Sequence, residues 1–415
     1  MKSKINGFTA VLLSGFLLTG CASTPSAPNE ESSAEPADHG AVEGAREMAE
    51  APLHLVTVDA TGKTGMSDLL SSEETDLSSL SNIKNLDTDG RYLFADTNKG
   101  VDIVDSGMWS WNHTDHFHYY RAAAQEVGHV TGQGPARIIG GPLSTAGSTG
   151  VFFPETGKGI LLNNAELAQG RIAEQFSTET TAHKGILAPL GEGAIQSEPA
   201  SGSTPAQVYY LDAQGQRVDG STAECANPAD ATQTAAGLAI ACDQGILVAS
   251  EAEAGGLEFS LVKYPKGTAA DERAVELDHR KSRPVVAAVA GDSGAWVINT
   301  RDLTINKVMT DQKLLNVVAV GDADGHVVAL DDQGRVQVYS TKADKVIGTT
   351  EALLKKSLKD PVAMESVNLV LDAQRAYVNA PAEGQVYEID FADSARIART
   401  LTPSIAPTWM TQVGN

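Results

Sequence analysis

Three histidines within six residues are the strongest chemical signal in the sequence. They lie in residues 109–121, which read Trp-Ser-Trp-Asn-His-Thr-Asp-His-Phe-His-Tyr-Tyr-Arg. Side chains two residues apart share one face of a β-strand, so we expect His116 and His118 to point the same way. Two neutral imidazoles on one face can bind a tetrahedral metal ion; without cysteine they favour zinc, then copper or nickel. His113 precedes this strand and can reach the same ion from the loop.

A complete zinc site needs further ligands from elsewhere in the chain. His183, in Thr-Ala-His-Lys-Gly, is the best candidate because it begins one of the repeats described below. Asp115 can orient a ligating ring through a hydrogen bond, and the neighbouring aromatic residues can wall the site and exclude water. The alternative is a surface loop in which the three histidines are simply solvated.

The first residues predict a protein that is exported and anchored by a lipid. Lys2 and Lys4 precede an apolar run over 8–18, which is shorter than the roughly 20 residues that span a membrane. The run ends in Leu-Thr-Gly-Cys, the pattern of a bacterial lipobox. We therefore predict a lipoprotein signal peptide over 1–20, lipidation of Cys21, and a location outside the cytoplasm, on the cell surface or in the periplasm. An ordinary signal peptide with an incidental cysteine is the alternative.

Residues 21–50 predict a disordered tether between the lipid and the folded domain. The segment is rich in Ser, Pro, Glu and Ala and has almost no large apolar side chain, so it cannot bury enough surface to offset its conformational entropy. The folded domain is then expected over 51–415.

The two remaining cysteines, Cys225 and Cys242, are predicted to form a disulfide. Export places them in an oxidising compartment, where pairing is the default, although two buried thiols are an alternative.

The charge of the chain limits its partners. With 53 acidic and 31 basic residues the formal net charge is −22. Nucleic acid is therefore excluded as a partner, since phosphate binding needs a basic face. The same negative charge disfavours electrostatic binding to anionic lipids, so we expect the protein to contact the membrane through its lipid anchor only. An acidic surface suits the handling of cations, or simply solubility.

The pattern of strands and turns after residue 50 predicts an all-β fold. Short β-branched runs alternate with Asp-Gly, Gln-Gly and Glu-Gly turns, and a loose unit of turn, strand, turn, strand recurs about seven times over 82–400. Such units are typical of a β-propeller, here predicted with seven blades. The strands left over at 53–58 and 407–413 suit a ring that closes by pairing its two ends. Two β-sandwiches are the rival architecture. An apolar periodicity over 350–359 predicts one helix.

Several motifs together resemble the AztD-type zinc metallochaperones, secreted partners of a zinc ABC transporter. These motifs are Asp-Gly-Arg-Tyr at 89–92, Val-Asp-Ile-Val-Asp-Ser-Gly at 101–107 and Asp-His-Phe-His-Tyr-Tyr-Arg at 115–121. The resemblance is sharpest over 87–121 and weaker elsewhere. It implies a β-propeller that binds zinc through histidines and hands it to the solute-binding protein of the transporter.

On this resemblance His116 and His118 are expected to be metal ligands, with His113 and His183 as further ligands. In that family a histidine often follows the first cysteine closely, whereas Cys225 is followed by Ala-Asn-Pro. This departure implies that a ligand or a second site is missing, or that Glu224 or Asp230 replaces the histidine.

The resulting hypothesis is a monomeric, non-enzymatic zinc chaperone. One alternative is a zinc-dependent hydrolase or lyase using the same histidines and a bound water. The other is a protein-interaction propeller without metal function. Turnover distinguishes the first alternative from a chaperone, and failure to bind metal would favour the second.

Overall fold

The computed structural model describes residues 40–113, 116–252, 256–292 and 294–415, with His113 described by its backbone alone. The predicted signal peptide, Cys21 and the tether up to residue 39 lie outside these residues. Within the described chain no helix is long and apolar enough to cross a membrane.

The described residues form nine antiparallel sheets, of which eight, each of three or four strands, are the blades of an all-β propeller. A short strand β1 (Arg46–Met48) precedes the first sheet. Blade one contains β2 (His54–Val58), β3 (Thr64–Asp68) and β4 (Glu74–Leu77). Blade two contains β5 (Asn85–Thr88), β6 (Tyr92–Thr97), β7 (Gly100–Asp105) and β10 (Gln125–Thr131). Between β7 and β10 the chain forms a hairpin of β8 (Met108–His113) and β9 (His116–Arg121).

The middle of the chain supplies three further four-stranded blades. Blade three contains β11 (Arg137–Gly140), β12 (Ser148–Phe153), β13 (Lys158–Asn163), the short helix α1 (Asn164–Leu167) and β14 (Glu174–Glu179). Blade four contains β15 (Leu187–Leu190), β16 (Gly193–Glu198), β17 (Gln207–Leu211) and β18 (Arg217–Glu224). Blade five contains β19 (Asp230–Thr234), β20 (Gly237–Cys242), β21 (Gly245–Glu251) and β22 (Leu257–Lys263).

The last three blades follow a 3₁₀ turn at Ala270–Glu272. Blade six contains β23 (Val285–Val289), β24 (Ala295–Asn299) and β25 (Thr304–Val308). Blade seven contains β26 (Leu314–Ala319), β27 (His326–Asp331), β28 (Val336–Ser340) and β29 (Lys345–Thr349). After a 3₁₀ turn at Ser357–Lys359 and helix α2 (Pro361–Met364), blade eight contains β30 (Leu369–Leu371), β31 (Ala376–Ala380), β32 (Gln385–Asp390) and β33 (Arg396–Leu401).

The ring closes through its two ends, as the sequence predicted. The final strand β34 (Trp409–Val413) pairs with β2 in an antiparallel register that sets His54 opposite Val413. The predicted count of seven blades is wrong by one. Blades two to eight are the seven units expected over 82–400, and the closing sheet is an eighth blade because β3 and β4 add two polar strands to the pair of terminal ones.

Hydrophobic clusters between adjacent blades hold the ring together. One joins blades one and two through Val56, Met66, Leu93 and Val104, all almost fully buried. Strand β6 is buried at every residue because its two faces are covered by neighbouring blades. Removing this apolar surface from water is the main stabilising contribution to such a fold.

Cys225 and Cys242 form the predicted disulfide, with Cα atoms 5.2 Å apart. The bond joins the residue that follows β18 to the end of β20, so it ties blade four to blade five.

Strand structure is present on the N-terminal side of the predicted domain boundary at residue 51. Strand β1, inside the predicted tether, pairs with β9, and together with β8 they form a small sheet separate from the eight blades. The hairpin β8–β9 is inserted between the third and fourth strands of blade two, which still pair directly with each other.

Candidate metal centre

The hairpin β8–β9 brings two of the predicted ligands together. Alternation along β9 places His116 and His118 on one face, as the spacing predicted. Their Nε2 atoms lie 2.9 Å apart, and their ring centroids are 4.7 Å apart. His116 is exposed to solvent, whereas the His118 side chain is 17% exposed. The pair is therefore held at a solvent-accessible edge of the molecule.

A carboxylate outside the hairpin contacts this pair. Glu47 on β1 lies opposite Tyr120 in the strand register, two residues from His118 along β9. Its Oε1 atom accepts a hydrogen bond from His118 Nδ1 at 2.7 Å. Because an ionised carboxylate only accepts hydrogen bonds, His118 must carry a proton on Nδ1. In the neutral ring the lone pair then lies on Nε2, the atom that faces His116.

Aromatic residues anchor the root of the hairpin rather than enclose the histidines. Trp109 is buried, stacks on Tyr120 with centroids 5.2 Å apart, and covers the Arg91 guanidinium at 4.0 Å. Phe117, by contrast, is 46% exposed. The prediction that aromatics exclude water from the site is thus not met, since His116 remains accessible.

The spacing of the two imidazoles suits a zinc ion after a small adjustment. Zinc–nitrogen bonds of about 2.0–2.1 Å at a tetrahedral angle separate two nitrogens by roughly 3.3 Å. Opening the pair by a few tenths of an ångström, with loss of the proton between the nitrogens, would allow both rings to ligate. Among the described residues there is no group of three or more His, Cys, Asp and Glu side chains placed to hold one metal ion.

The other two predicted ligands have different outcomes. The backbone of His113 pairs with that of His116 at the end of the hairpin. Its side chain, and residues 114 and 115 including Asp115, lie outside the described residues. His183 is not brought to the pair: its Nδ1 donates to the Thr181 carbonyl at 2.7 Å and its Nε2 contacts Ser197 Oγ at 2.9 Å.

Asp230, proposed as a replacement ligand, lies instead beside Arg137, with Oδ1 3.7 Å from Nη1. Burial raises its pKa to about 6. It belongs to an acidic group at the centre of the molecule.

That acidic group was not predicted from the sequence. A cavity of about 660 Å³ is lined by Asp87, Asp89, Glu276, Asp278 and Lys281, among others. Burial, together with the nearby carboxylates of Asp230, Asp96 and Glu276, raises the pKa of Asp87 to about 7. Burial and the same kind of repulsion raise the pKa of Asp278.

The sequence signals for this group were two acid-x-acid spacings, at Asp87 and Asp89 just before a turn and at Glu276 and Asp278. Glu47 gave no sequence signal, because it lies in a polar segment whose short strand β1 is paired with the distant strand β9.

The fold and the exposed histidine hairpin define a β-propeller that presents imidazoles on an inserted element. Among solved structures, AztD from Citrobacter koseri matches this chain with a TM-score of 0.70 at 16% sequence identity, covering 88% of this chain and 98% of that chain. The structure of apo AztD from the same organism matches with the same TM-score and coverage at 15% identity. The chain therefore has an AztD-type fold. No protein-family profile and no curated protein matches the sequence.

Proposed function

We propose that this protein is an extracytoplasmic zinc chaperone, anchored by a lipid on Cys21, that delivers zinc to the solute-binding protein of a zinc ABC transporter. The observation that carries the proposal is the pair of Nε2 atoms of His116 and His118, 2.9 Å apart on an exposed hairpin. The AztD-type fold and the resemblance of 115–121 to the AztD-type motif support it. Zinc is here the cargo and not a resident cofactor.

The geometry of the pair suits exchange of the ion. Structural zinc sites are usually closed by four protein ligands, whereas this pair lies on a solvent-accessible hairpin outside the blades. A partner's ligands can therefore approach the ion while it is still bound and replace the two imidazoles one at a time. Protonation of the imidazoles competes with zinc, so release is favoured in acid. The proposed role is transfer without turnover, so the protein is not an enzyme.

The first test is zinc stoichiometry and affinity, measured by competition with a chromogenic chelator. The parent protein is expected to bind zinc, and His116→Ala/His118→Ala to lose the site. His129→Ala is the matched control, because His129 is also partly exposed and also holds a carboxylate, with Nδ1 2.7 Å from Asp102 Oδ1. Equal weak binding by the parent and the double variant would overturn the proposal. His183→Ala tests the fourth predicted ligand.

The second test is delivery. The zinc-loaded protein is mixed with the metal-free solute-binding protein, the two are separated, and zinc is measured in each. Direct transfer predicts a rate that rises with partner concentration and exceeds the rate of release to a chelator of equal affinity. A transfer rate equal to the rate of spontaneous release would contradict the proposed chaperone function but not the proposed zinc binding.

A further inference from the structure

The N-terminal segment 40–48 is docked on the histidine hairpin at three places. Trp109 Nε1 donates to the Gly40 carbonyl at 3.1 Å. Gly40 also lies flat against Trp111, where an added Cβ would come within 2.1 Å of the indole. Farther along, β1 pairs with β9, and Glu47 reaches His118. This segment belongs to none of the eight blades, so these contacts stabilise the position of the hairpin and add no strand to the ring.

The contact between Glu47 and His118 has the arrangement of a carboxylate that orients a metal ligand. Ligating histidines usually donate their second ring N–H to a carboxylate or carbonyl, which fixes the tautomer and makes the ligating nitrogen more basic. Here Glu47 holds the proton on Nδ1, and Nε2 of the same ring faces His116 at 2.9 Å.

We propose that Glu47 is a positioning residue for zinc, and that the docked strand β1 makes retention of the ion depend on the N-terminal segment. The inference rests on the proposed function, because it assumes that His116 and His118 bind zinc. Glu47 acts through His118 and does not itself ligate the ion. Displacement of β1 removes the carboxylate, leaves the His118 ring without its orienting partner and weakens the hold on zinc. The site is thus assembled from two parts of the chain, of which one continues into the predicted tether.

The test compares Glu47→Ala, Glu47→Gln and Glu50→Ala in the full-length protein. Loss of a carboxylate partner of this kind typically costs about 10–100-fold in metal affinity, and we expect Glu47→Ala to lie in that range. Glu47→Gln retains an amide oxygen that accepts from Nδ1 and should recover part of the loss. Glu50→Ala removes an exposed acid from the same segment and controls for a change in overall charge.

Long-range ¹H–¹⁵N NMR of the imidazoles, recorded on metal-free protein, distinguishes positioning from a general structural role. His118 should show the Nδ1–H tautomer in the parent and in Glu50→Ala, and a mixture of tautomers in Glu47→Ala. An affinity for zinc in Glu47→Ala equal to that of the parent, while His118→Ala abolishes binding, overturns this inference and leaves the proposed function standing. Absence of zinc binding in the parent overturns both.

Discussion

Arg91 and Asp105 form a two-point ion pair directly beneath the histidine hairpin. Arg91 Nε donates to Asp105 Oδ1 at 2.9 Å and Nη2 to Oδ2 at 2.7 Å, and both side chains are 1% exposed. Trp109, at the root of β8, covers the guanidinium. The pair therefore joins the ends of the two central strands of blade two to the element that presents the histidines.

We expect Asp105→Ala to destabilise the protein by roughly 3–5 kcal/mol, because it leaves a guanidinium buried without its counter-charge. Chemical denaturation followed by tryptophan fluorescence measures the free energy of unfolding. Asp311→Ala, which removes an exposed carboxylate, is the control and should change little. A loss similar to that of the control would show that the ion pair contributes nothing to the folded state.

The carboxylates around the central cavity predict an unusual pH dependence of stability. The pKa of Asp87 is raised to about 7, above the ordinary value of an aspartate in the unfolded chain. The folded state then binds more protons than the unfolded state between roughly pH 4 and 7, so the contribution of Asp87 to the free energy of unfolding falls as pH rises through that window. Asp230 and Asp96, each with a pKa raised to about 6, act in the same direction.

His279 acts in the opposite direction within the same range, between roughly pH 4 and 6.5. Burial lowers its pKa to about 4, so stability from this ring is lost as pH falls below its unfolded value. The contribution of Asp87 is therefore best isolated by difference. Asp87→Asn should gain in melting temperature relative to the parent as pH rises from 5 to 8. The control Asp76→Asn, at an exposed position, should show a constant difference, and a constant difference for Asp87→Asn as well would contradict the prediction.

The disulfide should stabilise the ring without serving the metal site. Cys225 and Cys242 are 17 residues apart, a loop for which cross-linking typically contributes about 3 kcal/mol. Cys225→Ser/Cys242→Ser is expected to unfold at a lower temperature, as is the parent in the presence of a reductant, while both keep the zinc affinity of the untreated protein. A fall in zinc affinity would indicate that the bond between blades four and five supports the hairpin after all.

If Cys21 is lipidated as proposed, association of the protein with the membrane should depend on this one cysteine. Cys21→Ser should abolish incorporation of a labelled fatty acid and move the protein from the membrane fraction to the soluble fraction. Cys225→Ser/Cys242→Ser, which removes the other two cysteines, should leave the labelling unchanged. Labelling that persists in Cys21→Ser would refute the lipobox interpretation.

Most of the ring could be predicted from the sequence because its strands carry a local signal. The apolar runs and intervening turns of blades two to eight are visible residue by residue, and the two-residue spacing of His116 and His118 predicted their common face. Only two strands of blade one were predicted, because its other two, β3 (Thr-Gly-Met-Ser-Asp) and β4 (Glu-Thr-Asp-Leu), lack an apolar pattern. β3 pairs with β2 and β4 pairs with β3, whereas the pairing of β2 with β34 is the long-range contact that closes the ring.

Two other features depended on tertiary contacts in the same way. The predicted helix over 350–359 is reduced to the 3₁₀ turn Ser357–Lys359. Leu353 and Leu354 are buried in the cluster between blades seven and eight, which explains their apolar character without a helix. Glu47 likewise acquires its position only when β1 joins β9, a contact that no local pattern in a polar segment predicts.

The insertion of the hairpin β8–β9 between two strands that still pair with each other separates scaffold from site. Because β7 and β10 pair directly with each other on either side of the insertion, we expect the ring to tolerate changes in the length and sequence of the hairpin. Selection could then alter this one element, which carries the proposed metal site, while the blades remain unchanged. The same junction offers a place to graft other metal-binding hairpins onto the scaffold.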